Sequence, residues 1–259
     1  VKAAEHREDQ ARSPIQAAPF SGKFIKWLEC MVMNPEICEV DRLLCGRWRI
    51  MVSSSTRHDD LRRTPIHVCK WVVNGDGTKR ALWARASQTK TMARSWICST
   101  RAANGECEGW LDDTMKLLRI AHGTGFSCND HFGKRALPDR SGFDKGPTDG
   151  AADTNHMRYL MVRANEKLDA ANQQALFTDD EIRGTRHHSA KCTLTSCAQY
   201  LAHHSHPGVS HTAVRNQGGW RAQGEDSMPD TYLRPRQTLA LELQETCLDY
   251  LEKNGDLIY

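Results

Sequence analysis

The chain has 259 residues, of which 39% are hydrophobic and 26% charged, and its net charge is +3. This length and polarity are typical of a soluble globular protein with one good core. Its longest apolar stretch, FIKWLECMVM, is short and interrupted by charge, so no membrane span is predicted. The charged opening VKAAEHREDQARSP does not have the pattern of a signal peptide, and the initial Val suggests a fragment or a trimmed product.

The ten cysteines are scattered along the chain and include no CxxC pair. Paired spacings of that kind are what metal knuckles and many redox sites use. We therefore expect reduced, mostly buried thiols and a reducing compartment.

Charge is unevenly distributed along the chain. Residues 57–101 hold ten Lys or Arg against three Asp, a net +7, whereas residues 225–256 hold eight acids against three bases, a net −5. A basic middle suits a surface that contacts phosphates. A solvated basic face is the alternative, and composition alone leaves it open.

The first part of the chain is predicted to be an arm followed by two helices. Residues 1–19 read as a disordered arm, and residues 20–259 as one domain. The segments FSGKFIKWLECMVM and EVDRLLCGRWRIMVSS then carry apolar residues at helical spacing.

A small sheet is predicted next. The segment RHDDLRRTPIHVCKWVV runs from a helix end into an extended stretch, and NGDGT at residues 74–78 is a strong turn signal. KRALWARAS and MARSWICST read as two further strands, with QTK as a tight connection between them. Together these segments predict a three-stranded antiparallel meander with a strongly basic side.

The second half is predicted to be helical around one long loop. EGWLDDTMKLLRIAHG reads as a helix, and residues 122–153, rich in Gly, read as the loop. NHMRYLMVRANEKLDAANQQ, SAKCTLTSCAQYLAHH and RQTLALELQETCLDYLEKNG read as further helices. In the last helix Leu239, Leu243, Cys247 and Leu251 recur every four residues. The expected fold class is mainly α with a small antiparallel three-stranded sheet.

Several chemistry-bearing residues follow one another in a suggestive order. Arg57 and Asp60 stand in RHDDL, and Lys90 stands in SQTKT at the turn between two predicted strands. His188 and Lys191 stand three apart in HSAK, so they share one helix face. Trp220 in GGW and Tyr232 in MPDTYLR complete the series.

This order resembles the catalytic domain of tyrosine recombinases of the phage-integrase type. The family pattern runs as Arg in R-x-x-E/D-L, Lys in a β-hairpin, H-x-x-R, Gly-His or Gly-Trp, and Tyr. HSAKCTLTS and MPDTYLR look most like integrase-like proteins of eukaryotic mobile elements. The resemblance covers roughly residues 20–255 and leaves no room for the family's N-terminal core-binding domain.

The resemblance implies DNA strand cleavage and rejoining through a 3′-phosphotyrosine intermediate. Arg57 would hold the scissile phosphate with its planar guanidinium, and His188 and Lys191 would bind it from the other side. Lys90 would protonate the leaving 5′ oxygen, and Tyr232 would attack in line. A free phenol has a pKa of about 10, so its attack near neutral pH needs cationic surroundings.

Other expected roles concern support and DNA contact. Trp220 would pack against the site and donate its indole N–H, and Asp60 would orient Arg57. The resemblance also implies double-stranded DNA as partner and self-association on DNA as a tetramer, with the C-terminal helix packing onto a neighbour. The basic residues expected to contact DNA are Arg62, Arg63, Lys79, Arg80, Arg85 and Arg94.

The sequence departs from the family pattern at two places. Lys191 stands where the family has Arg, which keeps the charge and loses the bidentate geometry. The spacing from Trp220 to Tyr232 is a few residues longer than usual. A catalytically degenerate DNA-binding remnant and an unrelated helical interaction module therefore remain as alternatives, and each residue also has an ordinary structural explanation.

A zinc cluster is a further alternative. Cys192 and Cys197 precede three histidines, His203, His204 and His206. The two cysteines fall within a predicted helix and point to different faces, so we predict no metal and no cofactor. An intracellular location, nuclear in a eukaryote, is expected only from the DNA role.

Overall fold

The structure is a computed structural model and describes residues 18–86, 95–123, 130–207, 209–211, 213–214 and 233–255. It is mainly helical, with an antiparallel three-stranded sheet, as the sequence predicts. The helices are α1 (Gly22–Met33), α2 (Glu39–Ser54), α3 (His58–Arg62), α4 (Trp110–His122), α5 (Gly150–Ala170), α6 (Asp179–Gly184), α7 (His187–His203) and α8 (Leu233–Asn254). The strands are β1 (Lys70–Val73), β2 (Lys79–Arg85), β3 (Ser95–Ser99), β4 (Lys134–Ala136) and β5 (Phe143–Pro147).

Helix α2 lies at the centre of the domain, and the predictions of α1 and α2 are confirmed. Ser21 caps α1 by accepting the backbone N–H of Phe24 at 3.4 Å. Nearly every residue of α2 from Val40 to Ser54 is buried, because α1, α4, α5, α7 and β3 pack around it. A helix buried on all sides loses its polar face, which explains why Arg47 and Arg49 lie inside the protein.

The β1–β2–β3 meander is confirmed where the structure describes it. β1 pairs antiparallel with β2, and β2 with β3, with Arg85 opposite Ser95 at the far end. The turn at 74–78 closes with a hydrogen bond from the Asn74 N–H to the Thr78 carbonyl, and Gly77 adopts φ +85° there. The predicted connection QTK lies within residues 87–94, outside the described residues.

The prediction of one long loop over residues 122–153 is wrong in part. β4 and β5 pair as a short antiparallel hairpin within it, and α5 already begins at Gly150. These strands have only three and five residues, too few for apolar alternation to be visible in the sequence. The short helix α6 was also not predicted, although Thr178 and Glu181 form a capping box at its start.

Helix α8 turns most of its apolar positions toward the core of its own chain. Leu243, Cys247 and Leu251 are at most 1% exposed, whereas Leu239 is 39% exposed. Gly255, at φ +77°, follows the helix end as predicted. Only Leu239 of the four-residue series is thus available to a neighbouring molecule, although the sequence suggests a partly intermolecular face.

Two further features anchor α8 and the start of the domain. The Gln244 side chain accepts from the Ser99 N–H at 2.9 Å and donates to the Ile97 carbonyl at 3.0 Å, so it holds β3 to the helix. Phe20 is buried, and its N–H donates to Thr193 Oγ1 at 3.0 Å, so the packed domain includes residue 20. Residues 1–17 of the predicted arm lie outside the described residues.

Among the described helices, none combines the length and the hydropathy needed to cross a membrane.

Candidate active site

Arg57 stands at the entrance of α3. It is the N-cap residue of this helix, has an extended backbone (φ −71°, ψ 149°) and accepts the first helical hydrogen bond from the Leu61 N–H at 3.0 Å. Arg57 is exposed to solvent, whereas Asp60, three positions later in the chain, is only 5% exposed. The exposed guanidinium is therefore accessible to a ligand, and the orienting role of Asp60 stays a prediction.

His188 and Lys191 lie in the first two turns of α7, as the H-x-x-K spacing predicts. His188 is exposed, and Lys191 is 8% exposed. Beside them, His187 Nδ1 and Ser189 Oγ are buried without a hydrogen-bond partner among the described residues. Buried polar atoms without partners are uncommon in folded proteins. A helix start with such atoms and a positive dipole end can accept an anion.

A contact between two histidines brings the starts of α3 and α7 together. The rings of His58 and His187 lie 5.3 Å apart between centroids. A Cβ atom on Gly150, at the start of α5, would lie 3.3 Å from both rings, so this position has room only for a small residue. Because Arg57 precedes His58 and His188 follows His187, the two predicted site residues arise from adjoining backbone.

A buried carboxylate, Asp153 of α5, supports this junction. It accepts from His58 Nε2 at 3.0 Å and from Thr148 Oγ1 at 2.5 Å. Arg47 Nη2 donates to both of its carboxylate oxygens at 3.0 Å, and Arg47 Nη1 donates to the Lys134 carbonyl at 2.7 Å. We call Arg47, His58, Asp153 and His187 the α2–α5 network.

The charges of the α2–α5 network shift the pKa values of two of its members. Burial alone would raise the pKa of Asp153, but the Arg47 guanidinium and the hydrogen bonds from His58 and Thr148 hold it below its ordinary value. Burial, with the neighbouring His58, lowers the pKa of His187. The network therefore favours an ionised carboxylate beside a neutral His187 ring.

The loop end of the β2–β3 hairpin lies close to α3. Trp96, the second residue of β3, donates its indole N–H to Thr64 Oγ1 at 3.0 Å, and Thr64 Oγ1 donates to the Asp60 carbonyl at 2.8 Å. Lys90 and Arg94 belong to the connection between these strands and lie outside the described residues. The hairpin that carries Lys90 is confirmed by its two flanking strands, whereas the position of Lys90 itself stays a prediction.

Helices α7 and α8 run side by side in the same direction. Cys247 Sγ lies 3.9 Å from the Leu194 carbonyl, and Cys197 Sγ lies 4.0 Å from the Cys247 carbonyl. One turn further, the rings of Tyr200 and Tyr250 are 6.1 Å apart. These contacts advance together along both helices, so the beginning of α8 lies toward the end of the domain where α7 begins.

Two predicted site residues precede α8 in the sequence. Trp220 and Tyr232 both lie outside the described residues, and α8 begins one position after Tyr232. Their proposed contacts with the phosphate and with the site stay predictions.

The expected DNA-contacting residues differ in how strongly they are engaged within the chain. Arg80 pairs with Glu245 through two hydrogen bonds of 3.0 and 2.8 Å. Lys79 pairs with Asp112 and lies 4.5 Å from the centre of the Trp71 ring.

These pairs are at the surface, where an ion pair contributes about 0–1 kcal/mol, so a phosphate can displace them. Arg62 is half-buried and pairs with Asp59 at 2.7 Å, while Arg63 and Arg85 are exposed. Their contact with DNA stays a prediction, and the ion pairs show that the basic side of the sheet is partly neutralised.

The sequence did not point to Arg47, His58, Asp153 or His187. Their chain separations are large, with 106 positions between Arg47 and Asp153 and 95 between His58 and Asp153. The one available signal was position, because His58 follows Arg57 and His187 precedes His188. Nothing in the sequence around Arg47 or Asp153 indicates that either residue belongs to the site.

The two cysteines of the alternative zinc cluster lie on one helix, α7, as the sequence predicts. Cys197 is fully buried against α8, and Cys192 is half-buried. Among the described residues, no three His, Cys, Asp or Glu side chains come close enough to hold a metal ion.

The chain has little sequence similarity to known proteins. No family model and no curated protein sequence matches the chain. Among solved structures, FLP recombinase in a Holliday-junction complex matches 90% of this chain and 55% of its own length, with 12% sequence identity and a TM-score of 0.46. The chain thus spans about half of that protein. A TM-score and an identity this low do not establish a shared fold or activity.

Proposed function

We propose that this protein cleaves and rejoins DNA strands, with Tyr232 as nucleophile and a 3′-phosphotyrosine intermediate. The observation that carries the proposal is the junction between α3 and α7, where the His58–His187 contact draws Arg57 and His188 to adjoining backbone. Both side chains are on exposed residues, so a DNA phosphate can reach them. A cation and an imidazole that arise from adjoining backbone are suited to an anionic transition state.

Three further features support the same region as the site. His187 Nδ1 and Ser189 Oγ are buried without a partner among the described residues in the first turn of α7. The positive end of the helix dipole at this turn favours an anion at the surface above them. The Trp96–Thr64 hydrogen bond brings the hairpin that carries Lys90 toward α3. The parallel packing of α7 and α8 directs the start of α8, next to Tyr232, toward the start of α7.

In the proposed reaction Arg57 and His188 bind the non-bridging oxygens of the scissile phosphate. The Tyr232 oxygen attacks phosphorus as its proton passes to His188, and the 5′ oxygen leaves with a proton from Lys90. The phosphodiester energy is kept in the tyrosyl ester. Attack of a 5′ hydroxyl on that ester rejoins the strand and releases the tyrosine. Trp220 packs beside the phosphate, and Asp60 orients Arg57. Assembly as a tetramer on double-stranded DNA belongs to the same proposal.

A catalytically degenerate DNA-binding remnant is the second candidate. It is favoured by Lys191, which is 8% exposed and lacks the planar fork of the Arg expected there. A buried ammonium one turn below the site would reach a phosphate less readily than an exposed guanidinium. DNA binding would then persist without strand cleavage.

Covalent capture distinguishes these candidates. The protein is incubated with a randomised pool of nicked duplexes, in which cleavage releases a short fragment and prevents rejoining. We expect an adduct that survives denaturation and disappears in Tyr232→Phe. Tyr159→Phe, which alters an exposed tyrosine on α5, is the matched control and should keep the adduct. Salt-sensitive binding without an adduct would favour the degenerate remnant, and loss of both would exclude the DNA role.

A further inference from the structure

Two cysteines near the surface, Cys30 and Cys107, have their sulfur atoms 3.7 Å apart. Cys30 lies on the exposed side of α1, and Cys107 ends the short 3-10 helix Gly105–Cys107, where it is 4% exposed. The two sulfurs share a hydrogen bond and no covalent bond, although 77 positions separate the residues in the chain. This contact does not involve the proposed DNA site.

Asn104 is positioned to act on both sulfurs. Its side-chain amide donates to Cys30 Sγ at 3.4 Å and to Cys107 Sγ at 3.5 Å. The amide itself is held in place, since Asn104 Oδ1 accepts from the Glu106 N–H at 3.3 Å and the Asn104 N–H donates to Glu29 at 2.8 Å. A fixed N–H donor between two sulfurs stabilises negative charge on either one.

We propose that Cys30 and Cys107 are a site of reversible covalent modification that closes to an intramolecular disulfide when the folded protein meets a peroxide. The sulfurs, 3.7 Å apart, must approach by about 1.7 Å to reach the bond length of roughly 2.05 Å. Rotation of the exposed Cys30 side chain provides much of this movement.

The chemistry proceeds in two balanced steps. The Cys30 thiolate attacks one peroxide oxygen, the O–O bond breaks, and hydroxide leaves, which gives a sulfenic acid at Cys30. The Cys107 sulfur then attacks the Cys30 sulfur, the S–O bond breaks, and the oxygen leaves as water with the thiol proton. Two thiols and one hydrogen peroxide give one disulfide and two waters, and a small dithiol reverses the modification.

The environments of the two cysteines indicate that Cys30 reacts first with the peroxide and that Cys107 reacts second. Cys30 is exposed to the oxidant, whereas burial and the hydrogen bond with Cys30 raise the pKa of Cys107 to about 12. Cys107 therefore stays protonated until Cys30 is oxidised. Oxidation of Cys30 removes the neighbouring sulfur charge that opposes ionisation of Cys107, so the second step becomes easier.

A second pair of cysteines provides an internal contrast. Cys197 and Cys247 also lie side by side between α7 and α8, but both are fully buried. The hydrogen bond with Cys197, together with burial, raises the pKa of Cys247 well above its ordinary value. A peroxide in solution reaches neither sulfur while the protein is folded, so proximity without exposure is not enough.

The test is peptide mapping by mass spectrometry of the full chain after exposure to dilute hydrogen peroxide at neutral pH and alkylation of the remaining thiols. We expect a Cys30–Cys107 cross-linked peptide with a mass loss of about 2 Da, reversed by dithiothreitol. The cross-link should persist in Cys192→Ser, which removes a half-buried thiol on α7, and be absent from Cys107→Ser. In Cys107→Ser we expect Cys30 to gain about 32 Da as sulfinic acid.

Circular dichroism of each variant checks that it is folded. A parallel reaction in denaturant tests the unfolded chain, in which Cys30 and Cys107 are no longer held close together. The proposal predicts that the Cys30–Cys107 cross-link dominates only in the folded protein. It would be overturned by sulfinic acid at Cys30 of the wild type without a cross-link. Equal formation of this cross-link in denaturant, or pairing of Cys30 with other cysteines at a similar yield, would also overturn it.

Discussion

Arg47 and Arg49 lie two residues apart on α2, about 200° apart around the helix, and each enters a buried charge network. Arg49 meets Glu29 of α1 at 2.7 Å, and neither side chain is exposed at all. Arg47 meets Asp153 of α5, and this network continues through His58 and His187 to the surface beside Arg57 and His188. The same residue type on one helix thus serves an interior site and a site that opens to solvent.

The two networks differ in how completely their polar atoms are paired. Around Arg49, Glu29 also accepts the N–H groups of Ala103 at 2.9 Å and Asn104 at 2.8 Å, and the Arg49 guanidinium lies 4.6 Å from the Trp110 ring centre. In the α2–α5 network, Arg47 Nε and His187 Nδ1 have no hydrogen-bond partner among the described residues. All charged atoms of the Arg49–Glu29 pair thus have partners, although Trp110 Nε1 has none among the described residues. A pair closed off in the interior contributes to structure, whereas a network with unpaired atoms that continues to a surface junction can adjust to a ligand there.

The largest expected effect is on the interior network. Glu29→Gln removes the carboxylate charge and leaves the Arg49 guanidinium buried and uncompensated, so the free energy of unfolding should fall by about 3 to 5 kcal/mol. Urea unfolding measures the change. Glu36→Gln, which alters an exposed glutamate in the loop after α1, is the control and should change stability by less than about 0.5 kcal/mol. A similar loss in both variants would mean that burial of the Glu29–Arg49 pair is not what matters.

A smaller loss of stability is expected for the α2–α5 network. Asp153→Asn removes the charge that faces Arg47 and His58, and the loss should be about 2 to 3 kcal/mol, because parts of this network can be rehydrated from the surface. The control Asp169→Asn alters an exposed residue of the same helix. If Asp153→Asn cost more than Glu29→Gln, the contrast between the two networks would be reversed.

The smallest effect concerns pH. The folded pKa of His187 lies below its ordinary value of 6.5, so the unfolded chain binds a proton there before the folded one does. Stability conferred by the neutral ring is complete above about pH 6.5 and is lost as the pH falls toward the folded pKa. The change should be less than about 1 kcal/mol, because the ring is only partly buried and its charge is partly screened by solvent.

Thermal unfolding between pH 7 and pH 5 checks this expectation in variants. In His187→Gln the melting temperature should fall less steeply as the pH is lowered. In His67→Gln, at an exposed histidine, the fall should be unchanged. Part of the slope should remain, since burial and the nearby Lys134 also lower the pKa of His122. An unchanged slope in His187→Gln would remove His187 from the explanation.

Much of the fold could be predicted because its elements are marked by local patterns. Apolar spacing gave α1, α2, α4, α7 and α8, and the turn at 74–78 gave the first hairpin. The β4–β5 hairpin could not be predicted, because strands of three and five residues carry no clear period. The helix α6 was missed, since six residues are too few for a periodic signal.

The site could be predicted only where a residue falls within a motif. Arg57 and His188 came from the spacing of RHDDL and HSAK, and the structure places both at neighbouring helix starts. The charged residues behind them could not be predicted, because Arg47 and Asp153 come together only through the packing of α2 on α5. Local sequence patterns can identify residues within a motif. Contacts between residues far apart in the chain can be identified only once the fold is known.

The central claim is that the junction of α3 and α7 binds and activates a DNA phosphate through the exposed Arg57. The most direct measurement is the yield of covalent protein–DNA adduct for Arg57→Ala and wild type on the same pool of nicked duplexes, with the melting temperature recorded for both. We predict a loss of adduct of roughly 100-fold or more with little change in melting temperature, because Arg57 is exposed and outside the buried networks. An unchanged adduct yield would contradict the claim.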